Sequence, residues 1–446
     1  MFTKDEKKLP YSHNDLKSLL GYSKLLIDKC LLELIDEPDA KESYNGKGGF
    51  GNKVEEKYFF IKNNSEDRPD FIELNLELKI TPLKLLKKGI LSPKERLVLG
   101  KINYNKIVLE KFETSSFISK NSQILIIFYL YIKGQEDYNY VFKHLIYYKF
   151  SENDLKIIKD DWQKIFKTIK NGKAHLISES DTLYLAASTK AKNSSELTTQ
   201  PFGPKAKPRA FSFKPSFIKY LISDFLQYNS ESVIISKNAS KSKKTFEEII
   251  IESFDLFLGL TEDEIKAKLN LKYSAKAKHK GYLISKAILG IKKPNIEEFE
   301  KAGINVKTIT LSKNGNNKES MSFKQIQFKS IIKENWEDSE FYQTLTNKFL
   351  FIIFQKGINN QNLLKEVKFW NMNENDLEIV KTVWTDTKKK ISKNNFSEFI
   401  KISDDLISHV RPKAQKKSDK METPFGTLEE KKCFWLNANY IKQILS

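Results

Sequence analysis

Apolar positions recur along this chain with different spacings, and each spacing predicts a different element. Behind Ser12, the residues Leu16, Leu19, Leu20, Leu26, Ile27, Leu31 and Leu34 form a broad apolar face, which predicts a helix over residues 12–35 with Ser12 as its N-cap. From Ile72 to Ile80 the pattern becomes strict alternation. Ile72, Leu74, Leu76, Leu78 and Ile80 are separated by Glu73, Asn75, Glu77 and Lys79, the two-residue period of a half-buried strand. From Ile124 to Ile132 the chain is almost continuously apolar, which predicts a central strand buried on both faces. Between the first two patterns, Lys47-Gly48-Gly49-Phe50-Gly51 leads into a second short helix carrying Glu55 and Glu56. Such glycines either let backbone approach a phosphate or simply form a turn.

The pattern then repeats itself. Glu152-Asn153-Asp154-Leu155-Lys156-Ile157-Ile158-Lys159-Asp160-Asp161-Trp162 matches Glu374-Asn375-Asp376-Leu377-Glu378-Ile379-Val380-Lys381-Thr382-Val383-Trp384 at seven of eleven positions, at an offset of 222 residues. Gln200-Pro201-Phe202-Gly203 faces Thr423-Pro424-Phe425-Gly426, and Phe211-Ser212-Phe213 faces Phe434-Trp435-Leu436, at an offset of 223. A steady offset over this distance predicts two tandem copies of one α/β (α+β, mixed-sheet) fold. Each repeated Asp-Leu segment reads as a capped helix start with a core Trp. The expected division is a first domain over 1–228, a polar Ser- and Lys-rich linker over 229–244, and a second domain over 245–446.

Composition narrows the function. A 40% hydrophobic and 12% aromatic content in 446 residues suits two folded domains, and the formal charge of +19 with pI near 9.4 points to a polyanion, nucleic acid first. No apolar run approaches the roughly 20 residues needed to span a bilayer, so no membrane partner is expected. Cys30 and Cys433 are the only cysteines, which excludes a disulfide framework and suits a reducing cytoplasm. The five histidines show no ligand spacing, which speaks against zinc.

The alternating strand supplies the candidate chemistry. Glu77 and Lys79 share one of its faces, and the turn before it can fold Asp70 back towards them. Two carboxylates can hold a hard divalent cation that polarises a phosphate, while an ammonium orients the nucleophile or neutralises developing charge. Charge on the outer face of a strand is also the ordinary state of an antiparallel sheet, so spacing alone leaves both readings open.

A set of segments in fixed order adds a resemblance. Gly51 to Glu55, the Asp70/Glu77/Lys79 triad followed by Thr81-Pro82, Lys94-Glu95-Arg96-Leu97-Val98-Leu99 and Phe112-Glu113-Thr114-Ser115 together resemble the MutH-like branch of the metal-dependent nucleases, most closely its type II restriction endonucleases that cut at GATC. The resemblance covers nearly the whole length. It implies a Mg²⁺-dependent double-strand cut in DNA containing GATC, in a bacterial cytoplasm, with Asp70 and Glu77 as metal ligands, Lys79 assisting the water, Glu55 as accessory acid and Lys120 beside the scissile phosphate. By the same resemblance Ser115 and the basic loop of Lys205, Lys207 and Arg209 would face DNA; a solvated loop touching only phosphates is the plainer alternative. Two rivals remain: a GATC-specific repair nickase, and a basic DNA-binding or replication protein without nuclease activity.

Carried back to the catalytic strand, the repeat sets Lys79 against Lys307, Glu77 against Asn305, Asp70 against Glu298 and, after a gap, Glu55 against Ile288. An amide and an aliphatic residue where acids belong leave too little charge for a hard dication, so the second copy is expected to be catalytically degenerate. It keeps His409-Val410-Arg411-Pro412-Lys413 and Lys416-Lys417 where the first copy has Ala186-Ala187-Ser188-Thr189-Lys190. Arg411 and Lys413 are therefore expected to bind a second DNA site in an effector domain. Self-association on DNA is a further expectation.

Overall fold

In the computed structural model, residues 2–445 are described except 45, 47, 63–65, 87–88, 192–194, 227–231, 234–243, 272–279, 291–294 and 414–418. The chain forms two compact units: Met1–His175 with Tyr184–Ser230, and Leu176–Leu183 with Glu231–Ser446. Most of the expected linker, together with Lys47, His279, Lys416 and Lys417, lies outside the described residues. The short segment Leu176–Leu183 belongs to the second unit, where Ser178 Oγ donates to the Met372 carbonyl at 3.2 Å and Asn371 Nδ2 donates to Asp181 Oδ1 at 3.0 Å. Among the described residues no helix is long and apolar enough to cross a membrane.

In the first unit, strands β1 (Glu77–Leu85), β2 (Leu91–Pro93), β4 (Gln123–Leu130) and β5 (Val141–Lys149) form one sheet in the order β2-β1-β4-β5. β1 runs parallel to β4 with Glu77 opposite Ile124, and the other pairs are antiparallel. The run from Ile124 to Phe128 is fully buried, as its unbroken apolarity requires. Leu78, Leu125 and Ile127 belong to one core cluster with Leu19, Leu26, Phe50, Val54 and Phe59 of the preceding helices and the turns that follow them. A second, antiparallel sheet joins β3 (Leu97–Lys101), β7 (Arg209–Phe213) and β6 (Leu185–Thr189) in the order β3-β7-β6.

Two expectations need correction. The helix is shorter than its apolar face suggests: Asp15, not Ser12, caps it by accepting from Lys17 N at 2.9 Å, and it spans only Leu16–Lys24. At Asp28 the backbone turns left-handed (φ 62°), and Asp28 N donates to Phe142 O at 2.8 Å while Phe142 N donates to Lys29 O at 3.0 Å. Pairing with the sheet edge therefore takes over from helix propagation. The alternating strand likewise begins at Glu77 and not at Ile72. Ile72–Leu74 is a 3-10 turn closed by Asn75 in the left-handed region (φ 48°), and Ile72 is 46% exposed.

The second unit repeats the plan. β8 (Asn305–Leu311), β10 (Phe349–Lys356) and β11 (Asn362–Trp370) form a sheet in which β8 and β10 are parallel with Asn305 opposite Phe349. β9 (Met321–Gln325), β13 (Lys432–Leu436) and β12 (Ser408–Pro412) form the order β9-β13-β12, the counterpart of β3-β7-β6. The helices Glu152–Lys170 and Glu374–Ser392 are each 19 residues long, and they bury Trp162 and Trp384 as expected.

The copies share their capping chemistry. Ser115 and Ser339 are buried N-caps of the six-residue helices Ser116–Asn121 and Glu340–Leu345, and each hydroxyl donates to the carbonyl three residues back, Phe112 O at 2.7 Å and Trp336 O at 2.6 Å. Ser115→Ala and Ser339→Ala should each lower unfolding free energy by about 1 kcal/mol, the usual effect of losing a cap. Urea unfolding measures this. Unchanged stability in Ser115→Ala with weakened DNA binding would instead return this hydroxyl to DNA.

Candidate active site

The turn before β1 assembles the site. Phe71 and Leu76, both buried, exchange backbone hydrogen bonds (Phe71 N to Leu76 O, 3.0 Å; Leu76 N to Phe71 O, 3.1 Å), so Asp70 and Glu77 become the next pair outward across a tight loop. Asn75 suits the left-handed position that closes the loop. Asp70 Oδ2 accepts from Leu78 N at 2.9 Å, which holds its carboxylate at the start of the strand. Glu77 is 1% exposed, and its Oε1 pairs with the Lys79 ammonium on the same strand face.

Two further elements converge on this edge. Because β1 and β4 are parallel, both begin at the same side of the sheet, and Lys120, in the helix that leads into β4, places Nζ 3.6 Å from Glu77 Oε1. That ammonium also donates to Glu66 O at 2.9 Å. Glu55 arrives on a π turn, Val54–Tyr58, that continues the helix Gly49–Lys53; Phe59 N donates to Val54 O at 3.1 Å, five residues back. The π turn is a distortion that recurs at functional sites. Gly49 is there for packing: a Cβ on it would lie 2.2 Å from the Tyr44 carbonyl oxygen, so this glycine serves the turn and approaches its own chain.

The electrostatics mark these residues as one cluster. Burial, reinforced by the charge of Asp70, pushes Glu55 up to about 8. Burial pushes Glu77 up to about 7, with Asp70 adding to the shift and the ammonium groups of Lys79 and Lys120 opposing it. For Lys79, desolvation works to lower the pKa, but Glu77 and Asp70 outweigh it and hold the ammonium above its ordinary range. Without a bound cation Lys79 is thus held in its charged form.

The acids fit a Mg²⁺ ion on one specific ground. Glu77 Oε2 is buried and has no hydrogen-bond partner, which leaves one acceptor of the cluster available to a cation. Among the described residues no three His, Cys, Asp or Glu side chains form a closed cage. Mg²⁺ does not require one, since it is commonly held by one or two carboxylates with waters and substrate phosphate completing its shell.

The expected DNA contacts fall out differently. Lys205 is exposed, and Lys207 is half-buried with its carbonyl accepting from the Tyr104 hydroxyl at 2.6 Å. Arg209 is no loop residue: it opens β7, is 2% exposed, and donates from Nη1 to Ala187 O at 2.8 Å. The alternating basic run hid a strand start. Ser115 is also inaccessible, its hydroxyl engaged by the capping bonds. Sequence reasoning passed over Phe202, which is 86% exposed beside these lysines with φ 58°. In the second copy the glycine of the same Pro-Phe-Gly turn, Gly426, takes the left-handed conformation (φ 79°). In the first, Gly203 is jammed against Gly172, whose carbonyl oxygen would lie 2.0 Å from an added Cβ, and the left-handed conformation moves to Phe202.

In the second unit Asn305 occupies the strand register of Glu77, and Lys307 that of Lys79. Asn305 Nδ2 donates to Gly303 O at 3.2 Å, so an amide held by backbone replaces the buried carboxylate. Glu298 is buried in the helix Glu297–Ala302, which stands where the first unit has its turn, and Ile288 ends the helix Lys280–Ile288. Arg411 is exposed on β12 with its guanidinium carbon 3.7 Å from the Trp435 ring centroid, and Lys413 Nζ donates to Phe323 O at 2.6 Å.

Comparison with known proteins agrees with two tandem copies of one fold. The family described as DNA mismatch repair enzyme MutH matches twice, over residues 59–161 and 291–382, once in each copy. The chain is also 35% identical to the type II restriction enzyme Sau3AI of Staphylococcus aureus, over 97% of this chain and 97% of that protein.

The raised carboxyl groups carry a testable sign. In the unfolded chain Glu55 and Glu77 ionise near their ordinary 4.5, whereas the folded protein holds their protons to about 8 and about 7. Without divalent ions, stability should therefore fall as pH rises from about 4.5 through about 8. A cation favours the ionised forms, so Ca²⁺ should raise Tm more at about pH 8 than at about pH 5.5, and Glu77→Gln should remove most of that increment. Thermal melts over this range check it; a Ca²⁺ increment independent of pH would detach these carboxylates from the ion.

Proposed function

We propose that this chain, which belongs to the MutH-like type II restriction endonucleases, makes Mg²⁺-dependent double-strand cuts in DNA at GATC through the Asp70, Glu77 and Lys79 cluster of its first copy. The observation that carries the reading is the buried, unpartnered Glu77 Oε2 between Asp70 and two ammonium groups. Asp70 and Glu77 would hold the ion, which when bound polarises the scissile phosphate and lowers the pKa of a water beside it.

The chain's own residues account for the rest. Lys79, held charged by its acidic neighbours, donates hydrogen bonds to the attacking water and keeps it oriented. Lys120, on the helix facing the same edge, stands where it can neutralise a phosphate oxygen as negative charge builds in the transition state. Glu55, protonated near neutral pH until a cation enters, adjusts the charge of the site. In-line attack leaves 5′-phosphate and 3′-hydroxyl ends. Lys205 and Lys207 approach the DNA backbone, and the second copy acts as an effector domain that binds a further DNA site through Arg411 and Lys413.

Glu77→Ala or Asp70→Ala should abolish cleavage while the chain still retards DNA, because contacts to backbone phosphates that need no carboxylate supply much of the affinity. Plasmid incubated with Mg²⁺ and protein gives the readout: linear product supports the proposal, nicked circles alone a repair nickase, and retardation alone a non-enzymatic binder. Sequenced ends then test GATC.

For the effector reading, DNA with two sites should be cut faster than DNA with one. Linking the sites raises their effective concentration, and a coupling of about 1–3 kcal/mol gives about a 5- to 150-fold effect. Equal rates on one-site and two-site plasmids, unaffected by Arg411→Ala/Lys413→Ala, would overturn it.

A further inference from the structure

The second unit keeps one cation of the nuclease cluster, Lys307, but not the carboxylate of Glu77 beside it. Lys307 is the third residue of β8, opposite Phe351, as Lys79 is the third residue of β1, opposite Ile126. Glu77 has become Asn305. Counted from the paired caps Ser115 and Ser339, the position of Lys120 is Thr344, whose carbonyl accepts from Asn305 Nδ2 at 3.5 Å.

A new cation has come in from the neighbouring sheet. Lys413 follows β12 as Lys190 follows β6, and the matched backbone bonds, Lys190 N to Pro208 O at 2.7 Å and Lys413 N to Lys431 O at 2.9 Å, establish the equivalence. Lys413 Nζ donates to the Phe323 carbonyl at 2.6 Å, and Lys307 Nζ lies 5.8 Å from the ring centroid of the same Phe323. Both ammonium groups thus gather at one residue. Among the described residues neither has an ion pair, whereas Lys79 is paired with Glu77. Burial and the charge of Lys413 together push Lys307 down from its ordinary value, and no carboxylate answers them.

Lys307, half-buried, and Lys413, exposed at the rim with its ammonium held on the Phe323 carbonyl, have no counter-ion among the described residues and together form a cradle for an anion. A divalent cation would be repelled. Arg411, exposed on β12 two residues before Lys413 and stacked on Trp435, extends the positive surface beyond a single small ion. We infer that the second unit grips a backbone phosphodiester of DNA directly between Lys307 and Lys413, at the place where the first unit uses carboxylates and a metal ion. The inference rests on the reading that the second copy binds DNA. It adds that this binding needs no metal.

The test uses the full chain and a labelled GATC duplex, with stoichiometry by sedimentation and affinity by fluorescence anisotropy. One duplex per chain should bind in EDTA and two in Ca²⁺. Lys307→Met should weaken the EDTA-resistant binding about tenfold and lower its salt slope by about one, the signature of one lost phosphate contact. Tm should stay level or rise, because the variant removes an uncompensated buried charge. A fall in Tm without change in slope would make Lys307 structural and overturn the inference. So would EDTA-resistant binding that Lys307→Met leaves intact, with the second-site reading surviving. One duplex per chain under both conditions would sink both. Competition by millimolar inorganic phosphate that Lys307→Met abolishes, with duplex affinity unchanged, would reassign the cradle to a free anion.

Discussion

The parallel pairing of β1 with β4 is the constraint on which the site depends. Strands that run together begin together, so Glu77 at the head of one and the helix carrying Lys120 at the head of the other meet at one edge of the sheet. An antiparallel pairing would place those ends at opposite sides, about 25 Å apart for strands of this length. The turn closed by Phe71 and Leu76 adds Asp70 at the same edge, and the π turn brings Glu55. Four chain segments thus deliver acids and amines to one place, each held by backbone geometry.

Burial gives those groups their chemistry. A carboxylate as enclosed as Glu77 would ordinarily be neutral, and only Lys79 and Lys120 moderate the penalty. Acids kept near neutrality in this way ionise when a cation arrives and stay partly quiet when it does not. The same enclosure fixes the character of Lys79. In the metal-free protein the neighbouring carboxylates hold its ammonium above the ordinary lysine range, which suits it to orienting and neutralising.

The sequence exposed the chemistry more faithfully than the boundaries. Alternation put Glu77 and Lys79 on one face, and the structure has them paired there. The same alternation ran five residues too far back, because the left-handed conformation of Asn75 leaves no mark on an apolar pattern. The first helix was overextended for a related reason: Leu26, Leu31 and Leu34 pack inward from turns as readily as from a helix. Arg209 misled through composition, since a basic residue among Pro and Gly reads as loop, yet its guanidinium is buried against the Ala187 carbonyl. The repeat was the most dependable signal, because an offset shared by distant segments does not rest on any local propensity. The π turn at Glu55 and the exposed Phe202 have no such signature, being set by tertiary packing.

Comparison of the two copies separates what the fold requires from what the chemistry requires. Both keep the serine cap, the core tryptophan, the 19-residue helix and the register of the parallel pair, each of which stabilises its unit. Where the first copy encloses Glu77 and Glu55, which oppose folding near neutral pH, the second is expected to carry Asn305 and Ile288, and that exchange relieves the opposition without disturbing the scaffold. By the same logic Lys307 should have gone too, for a half-buried ammonium facing Lys413 also works against stability. A cation retained where stability alone disfavours it marks the part of the old site that still has an anion to meet.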